Sequence, residues 1–205
     1  MIFKLFGIKI RISFLFIALI STFVLIESSK MMVYGLSAAL IHELGHILVM
    51  IFVGSKPSEI AFGVFDVNIK DYDRNKRNYV QDIFILIGGP LANLFGVGIL
   101  YLLHYVMGNQ NTVLSISENL FLCVFNLLPI ESLDGGQILY IFLSSKFDEH
   151  KSVVILKFVS FVILFPLAII GFYILLKSKN NFSLLLISCY LIAVVLIKKG
   201  HCYNI

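Results

Sequence analysis

The sequence predicts an all-α polytopic membrane protein with about six transmembrane helices and a small β-hairpin after the second helix. Hydrophobic residues make up 59% of the 205 residues and charged residues only 14%, with a mean hydropathy of +0.96. This balance lies outside the usual composition of water-soluble domains. Apolar runs recur along the whole chain, separated by short polar segments, and most approach the ~20 residues that a spanning helix needs. We expect one membrane-embedded domain over residues 1–205.

Six apolar runs define the predicted spans. The first run is short, and an amphipathic N-terminal segment is expected to extend it. The second ends at Gly54 and Pro57, since glycine suits a helix C-terminus and proline cannot continue a helix. The fourth is interrupted by the polar stretch 126–136, and irregular backbone at membrane depth is tolerated only where protein or a polar cavity surrounds it. The predicted spans are 12–26, 31–53, 80–107, 120–143, 153–176 and 182–197.

Between the second and third spans, residues 59–69 alternate between apolar and other residues. Ile60, Phe62 and Val64 fall on alternate positions, a pattern typical of a strand. This segment is the predicted hairpin.

Basic residues predict the topology. With six spans, twelve of the sixteen Lys and Arg residues lie on the side of the N-terminus and three on the other side. The positive-inside rule then places both termini in the cytoplasm. Because the basic residues follow the loops, no nucleic-acid-binding patch is expected. The three cysteines have no CxxC spacing, so a disulfide framework is not expected either.

A polar cluster interrupts the apolar second span. His42 and His46 are four residues apart and share one helix face, so both imidazoles can bind one metal ion while Glu43 lies beside them. Neutral imidazoles hold Zn²⁺, and a carboxylate that is not a ligand can take a proton from water. Three ionisable groups on one turn in hydrocarbon are costly unless they pair or bind something. The cluster therefore predicts a catalytic zinc site with one Zn²⁺ per chain.

A catalytic zinc site usually has three protein ligands, so one more is expected. The best candidate is Asp134, in the break of the fourth span; His104, His150 and His201 are interpreted as ordinary histidines. Glu131, in the same break, is interpreted as a loop residue with no catalytic role.

Three motifs in this order resemble those of the site-2 protease (M50) family of intramembrane zinc metalloproteases. They are His42-Glu43-Leu44-Gly45-His46, Gly89-Pro90-Leu91-Ala92-Asn93, and Asn126 to Gly135, which contains Pro129 and Asp134. The resemblance implies that His42, His46 and Asp134 ligate zinc and that Glu43 is the catalytic base. The six-span count is similar to a subgroup that includes a sporulation protease, and we expect no C-terminal CBS domain.

The resemblance also implies a function and partners. We expect an intramembrane metalloendopeptidase that cleaves a membrane-anchored regulatory protein, such as a pro-sigma or anti-sigma factor, in a bacterial cytoplasmic membrane. Asn126 and Asn93 are predicted to contact the substrate or the developing oxyanion, and Gly89, Pro129 and Gly135 complete the motifs. Two alternatives stay open: a non-proteolytic zinc carrier and an inactive scaffold. The sequence does not indicate an oligomeric state.

Overall fold

A computed structural model describes residues 2–5, 8–13, 30–55, 57–62, 67–71, 77–108, 110–178 and 183–197. The described residues divide into two units, with the boundary between Phe125 and Asn126. The first unit contains a four-stranded sheet and most of three helices. The second contains the polar segment after Asn126 and three further helices.

Six helices account for most of the described chain. α1 and α2 are long and α3 follows α2 closely; α4 is short, and α5 and α6 follow it. Their bounds are α1 Lys30–Phe52, α2 Tyr79–Met107, α3 Gln110–Asn126, α4 Asp134–Ser144, α5 Glu149–Ser178 and α6 Ser183–Ile197.

Three of these helices, α1, α2 and α5, are long and apolar enough to cross a membrane. They correspond to the second, third and fifth predicted spans. α6 is apolar but shorter. The fourth predicted span is instead two helices, α3 and α4, separated by the predicted polar break. Nearly all of the first predicted span lies outside the described residues, so the predicted count of six remains a prediction.

The sheet has the strand order β1-β2-β3-β4, with bounds β1 Ile2–Leu5, β2 Ile8–Ile12, β3 Pro57–Phe62 and β4 Val67–Asp71. β3 and β4 are antiparallel and confirm the predicted hairpin. β1 and β2 were not predicted, and β2 pairs with β3 in parallel. The stretch Ile8-Lys9-Ile10-Arg11-Ile12 alternates with a period of two, the spacing of a strand, so its interpretation as an extension of the first helix is wrong.

α1 presents two different faces. Ala38, His42 and Met50 are buried, whereas Leu40 and Leu48 are 58% and 56% exposed. Large leucine side chains exposed at helical spacing are costly in water but suit a face turned to lipid. The apolar face therefore meets the surroundings, and the face with small and polar residues packs inside the unit.

The buried face of α1 packs closely against α2. A Cβ placed on Gly45 would meet the carbonyl oxygen of Gly88 and lie 2.6 Å from the Cβ of Ala92. A Cβ on Gly88 would lie 2.8 Å from Cγ2 of Val49. Small residues at such crossings let two membrane helices approach closely and gain dispersion contacts. Only glycine fits at these two positions without moving the helices apart.

Polar contacts join the end of α1 to the start of α2. The Arg77 Nε lies 2.9 Å from Oδ1 of Asp82, and both side chains are largely buried. A second guanidinium nitrogen of Arg77 donates to the Ser55 hydroxyl, just beyond α1, at 3.4 Å. The backbone N–H of Asn78 donates to the Gln81 side chain at 2.9 Å, which caps the first turn of α2. Of these contacts, the bond from Arg77 to Ser55 joins the end of α1 to the start of α2, and the other two lie within the start of α2.

The second unit is organised around α5. Tyr140 and Leu143 of α4 pack with Leu156 of α5 in a buried cluster. At the other end, a Cβ on Gly171 would lie 2.7 Å from the backbone nitrogen of Leu185, so α5 and α6 are in close contact there. Cys123 and Cys189 are free thiols, and Cys202 lies outside the described residues.

Substituting Gly45→Ala is expected to destabilise the first unit by about 1–3 kcal/mol, because the added methyl group overpacks the contact with Gly88. Thermal unfolding in detergent measures the effect. Gly98→Ala on α2 is the matched control, since nothing lies within 4 Å of a Cβ at that position. Equal unfolding temperatures for the two variants would contradict the proposed close packing.

Candidate metal centre

α1 places His42 and His46 on its buried face, one turn apart. The two side chains are 5% and 8% exposed, and the imidazole rings are nearly perpendicular, with centroids 4.8 Å apart. Glu43, between them in sequence, is half-buried. The predicted arrangement of two histidines on one helix face is therefore present in the first unit.

Each imidazole is oriented by a bond from its Nδ1 atom to α2. The Nδ1 of His46 lies 2.7 Å from the carbonyl oxygen of Ile85. A carbonyl oxygen can only accept, so His46 carries its proton on Nδ1. The Nδ1 of His42 lies 3.0 Å from Oδ1 of Asn93, which is likewise an acceptor. Both rings therefore donate through Nδ1, and an imidazole that carries only this proton keeps a lone pair on Nε2.

The two Nε2 atoms face each other at 3.2 Å. Two lone pairs at this distance repel, so the pair is stable only when a cation, either a metal ion or a shared proton, lies between them. Two nitrogens at ~2.0–2.1 Å from a tetrahedral zinc ion are about 3.3–3.4 Å apart. The spacing of the imidazoles thus fits one Zn²⁺, and their Nδ1 bonds are those that usually orient metal-binding histidines.

Gly89 makes room for the imidazole pair. A Cβ at this position would lie 2.5 Å from Nε2 of His46 and 2.7 Å from Cε1 of His42. The next residue, Pro90, cannot donate to the carbonyl of Leu86, which removes one bond of the α2 ladder beside the Ile85 carbonyl. The Gly89-Pro90 pair therefore keeps the backbone of α2 close to the rings without filling the metal position.

Asn93 lies behind His42 and is fully buried. Its Nδ2 donates to the carbonyl oxygen of Ala38 at 3.1 Å and to Oδ1 of Asn119 at 3.2 Å. Since its oxygen accepts from His42, the carboxamide is occupied by contacts within the first unit. These bonds indicate that Asn93 orients a histidine, and its predicted contact with substrate or an oxyanion stays a prediction.

The second unit contains the other predicted site residues on a compact loop. Asn126 ends α3, Pro129 lies in the loop, and Asp134 is in the first turn of α4. A carboxylate in the first turn is favoured by the helix dipole. A Cβ on Gly135 would meet the carbonyl oxygen of Leu127 and lie 2.6 Å from that of Leu128, so the motif glycine lets the loop fold back onto α4.

Glu131, interpreted from the sequence as a loop residue, lies in the loop before α4 and is only 1% exposed. Its backbone N–H donates to the Ser160 hydroxyl of α5 at 2.9 Å, and its carbonyl accepts from Nε2 of Gln137 at 2.8 Å. Burial follows from these backbone contacts, which hold residue 131 between α4 and α5. The burial of Glu131 could not be predicted from the sequence, because a charged residue in a loop is usually exposed.

Of the other histidines, His104 lies in the last turn of α2, and its Nδ1 is 2.8 Å from the Thr112 hydroxyl at the start of α3. That contact joins two neighbouring helices, in keeping with its interpretation as an ordinary histidine. His150 is exposed at the start of α5, and His201 lies outside the described residues.

Substituting Gly89→Ala is expected to abolish or strongly weaken zinc binding while both histidines stay in the chain, because the methyl group would displace both rings. Zinc affinity, measured by competition with a chelator, tests this against Gly98→Ala on the same helix. Wild-type zinc affinity in Gly89→Ala would show that the rings do not need this space.

Comparisons with known proteins agree with these motifs. A sequence model described as "Peptidase family M50" matches residues 110–167, which contain Asn126, Pro129 and Asp134. Stage IV sporulation protein FB of Bacillus subtilis (strain 168) is 29% identical over 115 residues, which is 55% of this chain. The match spans only 40% of that relative's length.

A solved structure gives a longer match. The site-2 protease from Methanocaldococcus jannaschii superposes with a TM-score of 0.66 and 27% sequence identity, covering 94% of this chain and 91% of that one. The similarity therefore extends well beyond the segment matched by the sequence model. Together, the sequence model, the sporulation relative and the structural match all support similarity to peptidase family M50.

Proposed function

We propose that the protein is an intramembrane zinc metalloendopeptidase that hydrolyses peptide bonds of membrane-anchored proteins within or near the bilayer. The observation that carries this proposal is the pair of Nε2 atoms, 3.2 Å apart, on two histidines whose Nδ1 atoms both donate elsewhere. Such a pair is suited to holding a metal ion. Similarity to peptidase family M50 and the adjacent Glu43 support hydrolysis as the function of this metal site.

Asp134 is the proposed third protein ligand. Catalytic zinc sites generally use three protein ligands and leave one position for water or substrate. Two observations support this choice. Asp134 is followed by Gly135, as in the family motif, and it lies within the segment matched by the family model. Its carboxylate would also neutralise part of the ion's charge, which matters in an apolar environment. The site would hold one Zn²⁺ per chain through His42, His46 and Asp134.

Glu43 is the proposed catalytic base. His42, His46 and Asp134 would hold a zinc ion, which would supply Lewis acidity to a water molecule and to the carbonyl group of the substrate. The Glu43 carboxylate would take the proton from the attacking water and pass it to the nitrogen of the departing amine. Its position between the two histidines places it beside the metal site without making it one of the predicted ligands.

The asparagines have different proposed roles. Asn126, one turn before Pro129 in the second unit, would donate to the substrate backbone or to the developing oxyanion. Asn93 would hold the His42 ring in place through the bond to its Nδ1 atom.

The proposed setting is a bacterial cytoplasmic membrane, with six spans and both termini in the cytoplasm. The proposed substrate is a membrane-anchored regulatory protein, such as a pro-sigma or anti-sigma factor, as the motif resemblance implies. A zinc carrier is the second candidate, because histidines and carboxylates inside a membrane also mark ion pathways. A carrier has no need of a base at Glu43, so this residue separates the two candidates.

We expect Glu43→Gln to bind zinc as the wild type does but to lose at least about 100-fold in cleavage rate, since general-base catalysis contributes ~10²–10⁴-fold. The measurements are zinc content and cleavage of a transmembrane substrate in detergent. Glu149→Gln, at an exposed site on α5, is the matched control. Cleavage by Glu43→Gln at the control rate would contradict the proposed role.

Removing the proposed third ligand, Asp134, is expected to lower zinc affinity. Asp134→Asn should lower zinc affinity by more than about 100-fold, because even the loss of an outer hydrogen-bond partner costs ~10–100-fold. Asp148→Asn, which removes an exposed carboxylate paired with Lys151, is the control. Equal zinc affinity in the two variants would exclude Asp134 as a ligand.

A further inference from the structure

Asn119 on α3 is hydrogen-bonded to Asn93, the residue that orients the His42 ring. Asn119 is fully buried, and its Oδ1 accepts from Nδ2 of Asn93 at 3.2 Å. Its own Nδ2 donates to the backbone carbonyl of Ser115 at 2.8 Å. No motif identified in the sequence contains this residue. Its bonds nevertheless connect α3 to the histidine on α1.

Backbone carbonyls determine the direction of each hydrogen bond that links Asn119 through Asn93 to His42. The Ser115 carbonyl requires the Asn119 nitrogen to face it, which turns the Asn119 oxygen towards Asn93. Asn93 must then present its nitrogen to Asn119, and the Ala38 carbonyl requires the same orientation. The Asn93 oxygen is left facing Nδ1 of His42.

A reversed Asn93 carboxamide would change the histidine. It would point an N–H group at Nδ1 of His42, which would move the ring proton to Nε2 and remove the lone pair that faces His46. It would also place the Asn93 oxygen against the Ala38 carbonyl oxygen and against Oδ1 of Asn119, and oxygen atoms in these positions repel. Both contacts therefore resist the reversal, and Asn119 contributes one of them.

We propose that Asn119 is a positioning residue for the metal centre: it holds the Asn93 carboxamide in the orientation that keeps the His42 Nε2 lone pair available to the metal. This inference rests on the proposed zinc site and adds α3 to the elements that build it. Asn119 touches neither the metal position nor Glu43 in this account and acts only through Asn93.

Variants at residue 119 test this role by zinc affinity. Asn119→Leu, with the same number and branching of side-chain heavy atoms but no polar atoms, should raise the zinc Kd by about 10-fold, the lower end of the range for outer partners. In Asn119→Asp a protonated carboxyl group can donate to the Ser115 carbonyl and accept from Asn93, so the Kd should return to within about threefold of wild type. Cys123→Ala, one turn further along the same buried face of α3, is the control for lost packing and should bind zinc normally.

A double variant separates positioning from general stability. If Asn119 acts only through Asn93, Asn119→Leu should add no more than about a twofold loss of zinc affinity once Asn93→Leu is present. If the fold losses of zinc affinity in Asn119→Leu and Asn93→Leu multiplied in the double variant, the two residues would act independently and the proposal would be overturned. Wild-type affinity in Asn119→Leu would also overturn it.

A second measurement needs no metal. In metal-free protein labelled with 15N-histidine, the ring nitrogen shifts report where the proton of His42 lies, and His42→Gln identifies its signals. We expect Nδ1 of His42 to carry a proton in wild type and to lose it in a substantial fraction of molecules in Asn119→Leu, or in Asn119→Ser should the leucine variant not fold. An unchanged tautomer overturns this inference alone, whereas wild-type protein that binds no zinc refutes the proposed function.

Discussion

The bonds from His42 and His46 to α2 are the constraint on which the rest of the first unit depends. Each Nδ1 is committed as a donor, so each Nε2 presents a lone pair to the other ring at 3.2 Å. Without a cation this arrangement is unfavourable, and burial of both rings makes it more so. The fold therefore keeps two groups in a geometry that a metal ion stabilises.

Helix packing makes this geometry possible. The Nδ1 bonds reach the Ile85 carbonyl and Asn93 only because α1 and α2 approach closely at Gly45 and Gly88. Gly89 then leaves open the space in front of the rings. The same three glycines thus set the distance between the helices and the room for a metal, which links a packing property of membrane helices to the chemistry of the site.

Part of this organisation could be predicted from the sequence, because it depends on short-range patterns. Helical spacing places His42 and His46 on one face, and alternation identifies the β3-β4 hairpin. The strands β1 and β2 were missed because the first apolar run was assumed to continue towards the N-terminus. Asn119 was missed although Ser115, Asn119 and Cys123 recur every four residues on one buried face, since that spacing alone does not reveal a partner on α2. Burial of Glu131 depends on contacts with Ser160 and Gln137 that are distant in sequence or specific to the folded loop.

Zinc K-edge X-ray absorption on the metal-loaded protein, together with the zinc content per chain, tests whether the two imidazoles hold a zinc ion. We expect one zinc per chain, with two imidazole nitrogens at ~2.0–2.1 Å and the remaining ligands oxygen. Absence of zinc binding, or a first shell with sulfur or without imidazole scattering, would contradict this expectation.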